Sequence, residues 1–186
     1  MPRGSSGTSW EITRNGHGKS LSLSLTPAEW NALNNGCIFN LGLGVTPAGA
    51  LDYFVYIKNT SDKYDFVIDR WTLWTTSSVE QVSITRVTGT PGGSLTDLTV
   101  NQFFSKRSGS GVRPDIEAYS STDITGLTTG GTLDAVKTSA ANVMVTSAGK
   151  SVVIPPGDAI GFLAVAGSVP VVLIADFYTD MSDPKV

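Results

Sequence analysis

The sequence predicts an all-β chain: a jelly-roll-like β-sandwich with one short N-terminal helix and an extended N-terminal arm. Three observations carry that expectation. Gly (20), Pro (9) and 42 serines and threonines favour turns and short polar strands over helices. Runs of β-branched and aromatic residues recur, about ten in all, with turn residues at roughly 8–12-residue spacing. Hydrophobic residues make up 40% of the chain and charged residues 16%, enough apolar surface for a core and too much for disorder. No repeat of about 20–50 residues is visible, which argues against propellers and solenoids. The 186 residues suit one domain with an arm: residues 1–18 as the extended arm, and 19–186 as a single β-sandwich domain with a loop-rich region over 94–132.

Each element has its own signal. Residues 1–18 lack an apolar period and set Arg3, Arg14 and His17 against the single acid Glu11. Leu21, Leu23 and Leu25 alternate with Ser22 and Ser24, the period of a strand with one buried face. Thr26, Pro27 and Glu29 then form a helix start. Thr26 caps, Pro27 occupies the first helical position where its missing N–H costs nothing, and Glu29 closes a capping box. Trp30 and Leu33 provide a short apolar face, and Asn35-Gly36 ends it. Strands are expected over the Gly-spaced 38–43, then 51–58, 64–75 and 79–88, with turns at 59–62 and 89–93. Apolar density falls between 94 and 132, where short strands such as 97–104 and 116–119 should sit among long loops, or form a small inserted subdomain. Strands resume at 133–136, 142–146 and 151–154. After the Pro155-Pro156-Gly157-Asp158 turn, 159–166 and 171–178 should pair as the most buried strands.

Composition also excludes chemistry. A net charge of −3 and a pI near 5.0 do not suit a nucleic-acid binder. One cysteine rules out an internal disulfide or a multi-cysteine zinc site, and Cys37 reads as a small buried apolar residue. The apolar stretch 159–175 is shorter than the roughly 20 residues of a spanning helix and is broken by Gly161, Gly167, Ser168 and Pro170, so no membrane partner is expected. The N-terminus shows no apolar signal-peptide region, which implies synthesis in the cytoplasm.

Candidate site residues are few. His17 lies between glycines, and Ser-His-Asp or Cys-His nucleophilic catalysis would depend on it alone. Two-carboxylate hydrolysis would draw on Asp52, Asp65, Asp69, Asp97, Asp115, Asp123, Asp134 and Asp158, most of them beside turns or at strand ends. Calcium could be held by loops around Asp97, Asp115 and Asp123, but their spacing matches no ligand loop. No metal and no cofactor are therefore expected. Trp71 and Trp74, three apart on a strand, should point to opposite faces: one in the core, the other in the core, at an interface, or on a glycan platform. Lys106, Arg107 and Arg113 lie in a Gly/Ser loop and can meet phosphate, an acidic neighbour or solvent. Asn59-Thr60-Ser61 matches a glycosylation sequon, and 89–93 lacks the lysine of a phosphate-binding loop.

The stretch from Leu51 to Tyr178 resembles small jelly-roll proteins on the outside of tailed-phage virions, especially head-decoration (cement) proteins. The resemblance rests on Tyr53-Phe54-Val55-Tyr56-Ile57-Lys58 with its Asn59-Thr60-Ser61 turn, and on 64–68. The Gly/Ser-rich middle, the closing Val153-Ile154-Pro155-Pro156-Gly157-Asp158-Ala159-Ile160-Gly161-Phe162, and a last strand ending at Phe177-Tyr178 complete it. It implies a non-enzymatic structural protein of a bacteriophage virion, often trimeric, that binds the major capsid protein from the outer head surface and touches neither membrane nor nucleic acid. Capsid contact would fall to the arm, with Arg3, Trp10, Arg14 and Lys19 combining cations with an aromatic anchor. The alternative is a carbohydrate-binding or receptor-binding module of a phage tail or fibre using Trp71 or Trp74; a glycan hydrolase stands behind both.

Overall fold

The computed structural model describes residues 35–99, 102–106, 111–147 and 151–181. Its regular structure is almost entirely strand: β1 (Ile38–Val45), β2 (Asp52–Asn59), β3 (Asp65–Thr75), β4 (Gln81–Gly92), β5 (Thr96–Asp97), β6 (Phe103–Ser105), β7 (Ile116–Ser120), β8 (Thr125–Lys137), β9 (Met144–Thr146), β10 (Val152–Ile154), β11 (Ala159–Ala164) and β12 (Val171–Asp180). They form two antiparallel sheets. The first runs β10-β3-β12-β1-β6 with β9 also on β3, and the second runs β5-β7-β2-β11-β4-β8. The helix expected at Thr26, Pro27, Glu29 and Trp30, and the strand expected at 21–25, lie outside the described residues.

The pairing is nested. β1 pairs with β12, β2 with β11, β3 with β10 and β4 with β8, so the chain folds back on itself as one long antiparallel ribbon. Both sheets feed one core. Phe39, Leu41, Phe66, Trp71, Leu73 and Phe177 come from the first, and Phe54, Ile57, Ile84 and Phe162 from the second, each about fully buried. The layers meet where the Trp71 ring stands edge-on to Phe162 with centroids 5.7 Å apart. Within the first sheet Phe66 stacks on Phe177 at 5.2 Å, and Phe103 of β6 closes edge-on at the same distance. Each such side chain contributes about 1.5–3 kcal/mol by leaving water.

The segments 159–166 and 171–178 do not pair with one another, contrary to expectation. β11 lies between β2 and β4 in the second sheet, and β12 between β1 and β3 in the first. Both are apolar because each is the central strand of its own sheet. The crossing at 165–170 is held by Glu80, which is 1% exposed. Its Oε1 accepts the N–H groups of Gln81 and Ala166, and its Oε2 that of Gly167, all at 2.8 Å. Gly167 turns with φ +70° against the Gly49 carbonyl, where a Cβ would collide.

The stretch 94–132, expected as loop-rich, carries β5, β6, β7 and the first half of β8. It extends both sheets along one edge: β6 on β1, and β7 then β5 on β2. β8 escaped the apolar pattern because its side chains are mostly exposed. Backbone hydrogen bonding to β4, through three bulges, holds it and needs no apolar face.

Candidate interaction surfaces

A cleft lies at the edge of the first sheet. β6 pairs only with Phe39, Asn40 and Leu41, and then leaves β1 because the Gln102 N–H turns to the Leu98 carbonyl. Residues 42–45 continue without a neighbour on that side among the described residues. The Ile38 carbonyl accepts from Lys106 on the β6 side, whereas the Cys37 carbonyl accepts from Thr179 on the β12 side. Alternate residues of a strand direct both backbone groups to the same neighbour. Gly42 and Gly44 therefore aim their N–H and C=O groups at the free edge. A groove of about 410 Å³ runs beside them, lined by Leu43, Gly44 and Val45 on one wall and by Ser94, Thr96 and Ser120–Thr122 across from it. No lining residue is charged. Leu43 and Val45 pack against the core yet stay half-buried, so the core is open here.

The outer face of the first sheet is a second surface. Val172 lies between Gly44 and Trp74, and Met144 lies beyond Trp74. Ile174 lies between Gly42 and Thr72. A Cβ on Gly42 or Gly44 would meet nothing within 4 Å, so the floor beside these apolar side chains is bare backbone. Ile174 is 40% and Met144 61% exposed. Next to them the Asp176 carboxylate accepts from Lys106 Nζ at 2.7 Å and from Arg70 and Asn40 at 2.9 Å. Burial alone would push the Asp176 carboxyl up; the bonds from Lys106, Arg70 and Asn40 outweigh it and hold its pKa below the usual carboxylate value.

The tryptophans separate as their spacing requires. Trp71 is the core member, 1% exposed, with its indole N–H donating to Asp134 at 2.8 Å, so its ring offers no platform. Trp74 is half-buried on the outer face. Lys106 takes the acidic neighbour Asp176, Arg113 donates to the Thr99 carbonyl, and Arg107 lies outside the described residues. So do Arg3, Trp10, Arg14, His17 and Lys19. Cys37 is buried, and burial first, then the charge of Asp115, pushes its thiol pKa up.

Several of the aspartates have local duties: Asp158 pairs with Arg86, Asp134 holds Trp71, and Asp97 accepts from the Thr99 N–H and hydroxyl. Among the described residues no group of three or more His, Cys, Asp or Glu side chains is placed to hold a metal ion, and no helix is long and apolar enough to cross a membrane. Sequence reasoning missed Asp176 and Glu80. The first had a signal, an acid inside the apolar run 171–178; the second had none, because two of its three partners lie 86 and 87 residues away. Comparison with protein-family models, with curated proteins and with solved structures finds no match for this chain.

Proposed function

We propose that this protein is a non-enzymatic structural component of a tailed-phage virion, a jelly-roll decoration protein that binds the outside of the head and stabilises it. The observation that carries the reading is the nested pairing of β1 with β12, β2 with β11, β3 with β10 and β4 with β8. A ribbon folded over in this order into two facing sheets supports a jelly-roll reading, an arrangement that recurs in viral capsid and lectin domains. Its low charge and uncharged edge groove suit a rigid body that seats against other protein. In this reading the protein self-associates as a homotrimer, the major capsid protein is its partner, and Arg3, Trp10, Arg14 and Lys19 of the arm make the capsid contacts.

The test is co-sedimentation with stripped capsids of the full chain and of a deletion lacking residues 1–18, with light scattering for the oligomer. The full chain should pellet and the deletion should stay in the supernatant with an unchanged β circular-dichroism spectrum. A full chain that ignores capsids overturns the reading. A second reading, a carbohydrate- or receptor-binding module of a tail or fibre, draws on Trp74, half-buried on the outer face between Val172 and the exposed Met144. A glycan array that lights up with the wild type and fades with Trp74→Ala would favour it.

A further inference from the structure

We propose that the free edge of β1 receives residues 21–25 of the same chain (Leu-Ser-Leu-Ser-Leu) as an added antiparallel strand, completing the first sheet beyond β6. The inference goes beyond the virion reading and does not depend on it. An exposed strand edge carries unmet donors and acceptors, and a peptide that adds to it gains main-chain bonds and side-chain pockets together. The edge at residues 42–45 has both. Gly42 and Gly44 direct their backbone groups outward, and Leu43 and Val45 leave the core half-open beside the groove.

The occupant follows from the chemistry of the groove. Its lining carries no charge, so it fits an uncharged strand, and 21–25 is uncharged. Residues directly opposite in an antiparallel pair share a face. Leu25 opposite Leu43 and Leu23 opposite Val45 would cover the open core, leaving Ser24 over Gly44, where a side chain meets nothing. The chain is long enough: the way back from Leu43 to Ile38 is about 17 Å at ~3.3 Å per residue. With 26–35 helical, as its capping residues predict, the ten units from Leu25 to Asn35 span about 15 Å. The three from Asn35 to Ile38 add up to about 10 Å, which still covers that distance. Intramolecular addition also carries no cost for bringing two molecules together.

Hydrogen exchange on the full chain, read residue by residue by NMR, tests this. The Gly44 amide, opposite Ser24, should be protected in the wild type and exchange at least about tenfold faster in Ser24→Pro, which removes the donor that faces the Gly44 carbonyl. The Leu41 and Leu43 amides, directed at β12, report that the sheet itself is intact. A Gly44 amide that exchanges freely in the wild type overturns the proposal, and so does protection that survives Ser24→Pro. A Ser24→Cys/Gly44→Cys pair in a Cys37→Ala background then assigns the source. A disulfide in the monomer band is expected, and a covalent dimer would overturn the intramolecular assignment.

Discussion

Replacing Glu80 should cost more stability than any other single carboxylate change among the described residues. Its side chain is buried and holds three backbone N–H groups at once, those of Gln81, Ala166 and Gly167. Glu80→Ala leaves all three without that acceptor. The Gly167 N–H is buried and bears the full penalty of an unmet donor, about 1–3 kcal/mol. The other two are partly open to water, and each loses a charge-assisted bond for roughly 0.5–1.5 kcal/mol net. The sum is about 2–6 kcal/mol, or roughly 4–24 °C in Tm for a chain of this size. Glu80→Gln keeps the shape and one oxygen but turns an amide N–H toward one of these donors, so it should fall between wild type and Glu80→Ala. Urea denaturation followed by fluorescence gives the free energies, and hydrogen exchange over 165–170 should rise first, because that crossing loses its anchor. A Glu80→Ala loss below about 0.5 kcal/mol would show that the crossing is held by other contacts and refute the reasoning.

The two tryptophans should behave oppositely: Trp71→Ala should cost about 3–5 kcal/mol as a core truncation, whereas Trp74→Ala, on the outer face, should cost about 1 kcal/mol or less; equal losses in urea melts would contradict the placement of Trp71 between the sheets. Asp176 makes stability depend on acid. Its pKa in the fold is depressed, so its contribution is present above its unfolded value near 3.8 and is lost as pH falls through the lower folded value. Arg70 and Lys106 are 60% and 42% exposed, so screening limits the effect to about 1 kcal/mol. Asp176→Asn should accordingly flatten the acid limb of a stability–pH profile below pH 4, and an unchanged limb would remove Asp176 from the account.

Much of the fold was legible because strands write themselves into sequence through side-chain period. Phe39 and Leu41, Phe66 and Ile68, and Leu173 and Ala175 alternate with outward residues, and those strands sit within a few residues of their expected bounds. Where the period was absent, so was the strand: β8 is held by backbone bonds to β4, and its exposed threonines and glycines read as loop. The candidate surfaces were less legible still. The Gly-spaced run of β1 was visible, but the outward aim of Gly42 and Gly44 depends on where β6 leaves the strand.

By itself the sequence determined that the described residues are almost all β and that Trp71 and Trp74 take opposite faces. These follow from composition and from local backbone geometry, which repeats every two residues regardless of partner. Tertiary structure alone decided which strands are neighbours. It placed the equally apolar β11 and β12 in different sheets, gave Glu80 two donors from the distant crossing, gathered Lys106, Arg70 and Asn40 around Asp176, and left residues 42–45 of β1 without a neighbour on one side among the described residues. Strand partners are chosen by how the two sheets together bury their apolar faces and satisfy their backbone groups. That is a sum over contacts far apart in the chain, and no local pattern contains it.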